Sequence, residues 1–166
     1  RLNYPNGLQN YSQIIQDKHR TRWPIGNWTD DTDQFICILQ SLLKNKGVEV
    51  LDIAANFMEW LKEGGMGIGM NTYKVLTLPQ YELYPYKAAE LIWKTKKKNS
   101  APNGALMRNS IVCTFDFWSP ETVMDNCTKV CQLTHFDPRC VDSCQIMATV
   151  IFGELNNEAL SWNQLE

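Results

Sequence analysis

The sequence has no apolar run long enough to span a bilayer, no N-terminal segment built like a signal peptide, and no excess of either charge. Sixteen Lys and Arg stand against 18 Asp and Glu, a formal net charge of -2. Nothing global therefore draws the chain to nucleic acid or to an anionic membrane, and neither is expected as a partner. The basic cluster Lys94 to Lys98 is short and local. There is no convincing β alternation, no internal repeat and no low-complexity linker, so the expected class is all-α. The lack of a leader makes a cytoplasmic setting the expectation. It also makes the three glycosylation-type triplets, at Asn10, Asn27 and Asn126, chance matches. Arg1 in place of Met is expected of a processed or partial product.

What is present suits one globular domain with a real core. The chain has 166 residues, 44% of them hydrophobic and 20% charged. Six cysteines occur, and Cys127, Cys131, Cys140 and Cys144 form two pairs at helical i,i+4 spacing. Thiolates on one helix face can share zinc. The usual zinc spacing is shorter and wraps a tight turn, so reduced thiols acting as small apolar residues are the preferred reading.

Periodicity and punctuation divide the chain. Residues 1 to 28 read as an irregular lead-in with a short helix at Tyr11 to Lys18. Helical spacing runs from Asp33 to Lys44, and a turn at Asn45-Lys46-Gly47 comes next. A second helix covers Val50 to Lys62, with Leu51, Ala54, Phe57, Met58 and Leu61 on one face and Gly64-Gly65 as its stop. Short helices are predicted over Thr72 to Thr77 and Pro85 to Lys96. Asn99 to Gly104 is a turn, and Ala105 to Thr114 is apolar. Ser119 as N-cap with Pro120 at the first helical position opens a helix to Leu133. After a break at Thr134 to Pro138, a last long helix runs to Phe152, and a further helix is expected to start after Gly153.

The run Gly26-Asn27-Trp28-Thr29-Asp30-Asp31-Thr32-Asp33 carries the chemistry. A hydroxyl and two carboxylates on consecutive residues, with no Cys or His in the run, make a hard oxygen donor set suited to Mg²⁺ or Mn²⁺. The same pattern is a helix N-cap with acids in the first turn. The two readings are compatible, because two adjacent Asp residues cannot both cap. Further on, Gly64, Gly65, Gly67 and Gly69 form a glycine-rich loop. It can cradle a phosphate or simply let a helix approach closely; it lacks the preceding strand and the spacing of a dinucleotide fingerprint. Arg108 could serve as a phosphate ligand, but its place inside an apolar segment favours a buried structural Arg paired with a carboxylate.

Three motifs in order, Gly26-Asn27-Trp28-Thr29-Asp30-Asp31-Thr32, Asn103-Gly104-Ala105-Leu106-Met107-Arg108 and Thr134-His135-Phe136-Asp137-Pro138-Arg139-Cys140, together resemble the ADP-ribosylglycohydrolase family, the dinitrogenase-reductase-activating-glycohydrolase type. Trp60 to Leu76, with Gly67, Gly69 and Thr72, also resembles that family's glycine loop. The resemblance implies an orthogonally packed all-α bundle around a binuclear Mg²⁺ (in some members Mn²⁺) site that removes ADP-ribose from modified side chains or cleaves related derivatives. It makes Thr29, Asp30 and Asp31 metal ligands, with Asp30 and Asp31 catalytic. It puts Gly67 and Gly69 along the cleft, Ser100, Asn103 and Gly104 in a phosphate-facing loop, and His135 beside ADP-ribose.

Two family features have no counterpart. The lead-in offers no assignable acidic helix, and no Asp-x-Asp-Thr motif occurs after residue 33. The expectation is therefore one domain, truncated at both ends, that holds one side of the metal site and binds metal weakly. Against a Mg²⁺-dependent hydrolase stands an inactive ADP-ribose-binding or structural pseudo-enzyme of the same fold, and behind it a cysteine-based zinc module.

Overall fold

The computed structural model describes residues 7, 10–15, 18 and 20–157. Every regular element in them is helical. Single 3-10 turns at Tyr11–Gln13 and Arg20–Arg22 precede α1 (Asp30–Asn45), α2 (Val50–Lys62), α3 (Met70–Leu76) and α4 (Pro85–Thr95). Then come the one-turn α5 (Leu106–Asn109), a 3-10 segment at Ser110–Thr114, α6 (Pro120–Gln132) and α7 (Pro138–Leu155). The all-α expectation holds.

α1 buries Gln34, Cys37, Ile38, Ser41 and Leu42, an i, i+3, i+4, i+7, i+8 stripe. It ends where Lys46 turns left-handed at φ 54°, one residue before the glycine that marks the turn in the sequence. α2 packs on α1 through Ile53, Ala54, Phe57 and Trp60. Leu51, expected on that face, is 54% exposed, so the buried stripe is rotated toward Ile53 and Trp60. α6 and α7 form the most extensive helix pair, joined by the short corner 133–137. Ser119 caps α6 by accepting from the Thr122 N–H at 3.4 Å, as its sequence predicts.

Three expectations are corrected. The lead-in helix shrinks to the turn at Tyr11–Gln13; residues 16, 17 and 19 of that region lie outside the described residues. α7 runs through Gly153 to Leu155, because a buried glycine on a packed face does not end a helix whose ladder continues. No new helix starts at Gly153, and residues beyond 157 lie outside the described ones.

The main core gathers Ile38, Phe57, Val75, Val112, Val123 and Leu133 from six different segments. A satellite cluster of Ala105, Cys131, Cys140 and Cys144 sits between α5, α6 and α7. All six cysteines are buried and free, with Cys113 Sγ and Cys127 Sγ 3.6 Å apart. Among the described residues no helix is long and apolar enough to cross a membrane.

Phe57 has no exposed surface and belongs to the main core. Phe57→Ala should lower unfolding free energy by about 3–5 kcal/mol in urea titrations. Leu43, 72% exposed on α1, should change it by less than about 0.5 kcal/mol when replaced by Ala.

Candidate functional site

The acidic triplet lies at the start of α1. Thr29 is the N-cap residue in extended conformation, but its side chain makes no cap hydrogen bond. Its backbone carbonyl takes the Thr32 and Asp33 N–H groups instead. The side-chain capping expected of this run is therefore absent, and the Thr29 hydroxyl instead donates to Asp31 Oδ2 at 3.4 Å. Asp33 differs from its neighbours. Trp28 Nε1 donates to one of its oxygens at 2.8 Å and Trp60 Nε1 to the other at 2.9 Å. Asp33 thus fastens α1 to α2 and the entry loop, while Asp30 and Asp31 keep oxygens free. Asp30 is half-buried beside Asp31, and burial first, then the neighbouring charge, raises its pKa. The free N–H groups of the first turn work in the opposite direction.

The glycine loop folds onto this helix start. Gly67 has φ +82°, and a Cβ built on it would lie 2.7 Å from Asp30 Oδ1 and 3.1 Å from Thr29 Cβ. Only glycine tolerates both the backbone angle and the approach. Gly69 is different: it is the extended N-cap of α3, and a Cβ there would touch nothing within 4 Å. Of the two glycines expected along the cleft, Gly67 is brought against Asp30, whereas the space a Gly69 side chain would occupy is open.

A second polar group forms around the 99–104 turn. Gly104 lies under His135, where a Cβ would come within 3.1 Å of Nε2, and next to Thr72 Oγ1 at 3.6 Å. His135 occupies the corner between α6 and α7 and is 2% exposed. Burial, then the Arg108 and Lys96 charges, lowers its pKa to about 3, so the ring is neutral. Lys96 donates to Ser100 Oγ at 3.2 Å and to Asn71 Oδ1 at 3.1 Å, and Asn71 donates onward to the Thr134 carbonyl at 2.9 Å. Asn103 closes the turn through its carbonyl and is exposed. It borders a pocket of about 130 Å³ whose walls include Pro102, Leu106 and Arg139.

Segment 67–72 links the two groups. Gly67 rests on Asp30, and Thr72 rests on Gly104 five residues later. Arg108 supplies a second link. Fully buried, it donates to Gln34 Oε1 on α1 and, at 2.6 Å, to Thr134 Oγ1, with its guanidinium 4.6 Å from the Phe57 ring centroid. The expected carboxylate partner is replaced by two neutral acceptors and an aromatic face. Asp137, the nearest acid in sequence to the corner, is taken by Arg139 in a bidentate pair and by Trp93 Nε1. Its carboxyl is held well below the usual range, mainly by Arg139.

Sequence reasoning overlooked Gln34, Asn71, Lys96 and Thr134. Gln34 had a signal: it stands at i+4 from Asp30, on the stripe that α1 buries. Lys96 had none, being one member of a short basic run.

These features first define a class: an all-α bundle whose acidic helix start carries one glycine loop and whose buried histidine carries another. The sequence model of the ADP-ribosylglycohydrolase family matches residues 1–165, and the chain belongs to that family. Its broad type is an ADP-ribosylglycohydrolase-like hydrolase. A search of curated proteins finds no match.

Gly67→Ala should cost about 1–3 kcal/mol in thermal melts, through its positive φ and the clash with Asp30. Gly69→Ser, at an ordinary N-cap angle, should be nearly neutral. His135 gives a pH signature. Its folded pKa lies below the ordinary 6.5, so between 6.5 and about 3 the unfolded chain binds one more proton. Stability is then full above 6.5 and falls with acid, by up to about 1.4 kcal/mol per pH unit. Chemical denaturation across that range should show this extra slope in the wild type and not in His135→Asn.

Proposed function

We propose that the chain is a Mg²⁺-dependent hydrolase that releases ADP-ribose from ADP-ribosylated side chains or cleaves related ADP-ribose derivatives. Family membership supports the broad activity. The observation that carries the finer reading is the acid pair itself: Asp30 and Asp31 keep free oxygens at a helix start, with the Gly67 backbone laid directly against Asp30. Asp30 is half-buried with the exposed Asp31 beside it, so its charge gains from a cation.

The donor set fits hard divalent ions in kind, since it consists of two carboxylates and a hydroxyl. It is incomplete in number. Among the described residues no group of three or more His, Cys, Asp or Glu side chains converges in a way that could hold a metal. Thr29, Asp30 and Asp31 would hold one side of a magnesium or manganese site of two ions. Bound there, the cations would orient the ribose hydroxyls and polarise the sugar. The residues' own contributions are simpler. Asp30 or Asp31, through an oxygen not engaged elsewhere, accepts a proton from the attacking water. The 100–104 turn receives the pyrophosphate, with Ser100, Asn103 and the Gly104 backbone at its face and the Lys96 charge behind Ser100. His135 stays neutral beside it and serves as a hydrogen-bonding group, not as a charge. Gly67, and Gly69 at the α3 start, leave the sugar side of the cleft without side-chain bulk. A cytoplasmic setting accords with six buried free thiols.

The second reading is an ADP-ribose-binding pseudo-enzyme. The incomplete donor set favours it. Calorimetry with ADP-ribose and Mg²⁺, run beside an ADP-ribose release assay on ADP-ribosylated protein, separates the two. Turnover that falls at least about 100-fold in the Asp30→Asn/Asp31→Asn double variant, with helicity by circular dichroism unchanged, is the result expected of the enzyme. Binding without any wild-type turnover assigns the chain to the second reading. Normal turnover by the double variant removes the acid pair from the mechanism.

A further inference from the structure

His135 Nε2 is the one buried ring nitrogen in the described residues without a hydrogen-bond partner, and it faces the Gly104 turn. Which proton it carries is decided on the other side of the ring. Nδ1 lies 2.7 Å from Thr134 Oγ1. That same oxygen receives an N–H from Arg108 at 2.6 Å, and a guanidinium can only donate. The Thr134 hydroxyl is 1% exposed and has these two partners. Its own proton therefore has a single acceptor within reach, His135 Nδ1.

The opposite tautomer fails the same count. With a proton on Nδ1, the Thr134 oxygen would accept twice and its hydroxyl proton would point at nothing. Nε2 would then present a buried lone pair that is also unsatisfied. Counting the Thr134 hydroxyl and the His135 ring alone, one arrangement leaves one orphan and the other leaves two; Arg108 Nε is unpartnered in both.

We infer that Arg108 and Thr134 are positioning residues that fix His135 as the Nε2–H tautomer, a neutral donor aimed at the Gly104 turn, where it takes an oxygen of the ADP-ribose pyrophosphate. The relay runs Arg108 N–H to Thr134 Oγ1, then Thr134 O–H to His135 Nδ1, leaving Nε2–H for the ligand. A donor is the useful state, because phosphate oxygens only accept. The backbone is clamped to match: His135 N–H donates to the Cys131 carbonyl at 3.0 Å, and Asn71 holds the Thr134 carbonyl. With the main chain held, a ring flip about Cβ–Cγ would break the Nδ1 contact with Thr134 Oγ1.

The ligand half of this inference rests on the function proposed above; the tautomer half does not, and one experiment separates them. A long-range proton–nitrogen correlation spectrum of the full chain needs only His19 and His135 to be assigned. The wild type and Thr134→Ser, which keeps the hydroxyl, should both show an unprotonated Nδ1 and a protonated Nε2 without ligand. Thr134→Val, which keeps the shape and loses the hydroxyl, should lose that single-tautomer pattern. It should also bind ADP-ribose about tenfold more weakly, a loss Thr134→Ser restores. A wild-type ring protonated on Nδ1, or a Thr134→Val spectrum identical to the wild type, overturns the relay. A wild type that shows the expected tautomer but takes up no ADP-ribose overturns the ligand assignment and leaves the relay standing.

Discussion

A guanidinium sealed from water is the constraint around which this fold is arranged. Arg108 has no exposed surface and pairs with no carboxylate among the described residues. Its burial opposes its charge and lowers its pKa. Such a group needs acceptors and a spread of its charge, and of its donors Nε is left without a partner. Gln34 from α1 and Thr134 from the α6–α7 corner meet two of them, and the Phe57 ring from α2 lies beside it. Three helical segments that are distant in sequence must therefore converge on one side chain. Loss of any of these contacts leaves a charge stranded in the core, a far greater penalty than the loss of one neutral bond.

That convergence brings two patches together. Gln34 sits one turn beyond Asp30 on α1, and Thr134 adjoins His135. The orientation of the acid pair and that of the histidine are thus referred to the same rigid centre. The glycine contacts set the remaining distances: Gly67 lets the 64–69 loop settle on Asp30, and Gly104 lets the turn settle on His135. A methyl group at either position would push one patch away from the segment that joins it to the other. The two glycines act in different ways, since Gly67 is needed for its backbone angle as well as its size, and Gly104 for its size alone.

The helices are largely legible in the sequence because their signals are local. Ser119-Pro120 and Pro85 open helices where expected, and the apolar stripe of α1 has the right period. The differences arise where tertiary packing overrides local signs. Leu51 is apolar but faces outward, because Trp60 fills the inner face and ties itself to Asp33. Gly153 looks like a stop but lies on a packed helix face. At the site, residue types with scarce uses, such as Asp30, Asp31, Gly67, Gly104 and His135, can be singled out from motif order. Asn71 and Thr134 cannot, because their roles exist only through partners 26 to 63 residues away, and Gln34 shows only as a polar residue on the buried stripe of α1. Arg108 is buried as its apolar surroundings predict, yet its partners are not the expected ones. Local sequence says that a buried Arg needs acceptors; it does not say that neutral ones and an aromatic face suffice.

The contrast between the two patches has a physical logic of its own. At the α1 start, burial and like charge work against ionisation of Asp30, so a divalent cation would gain by meeting it. At the corner, burial and the Arg108 and Lys96 charges keep His135 neutral. A neutral ring beside a Lys–Ser–Asn network adds direction without adding charge. The corner holds one half-buried cation, Lys96, one fully buried cation, Arg108, and a neutral histidine. The two patches thus differ in charge: carboxylates crowd the α1 start, and Lys96 and Arg108 flank the corner. An ordinary histidine, able to ionise near neutral pH, would make the charge of this corner depend on acidity. Burial removes that dependence.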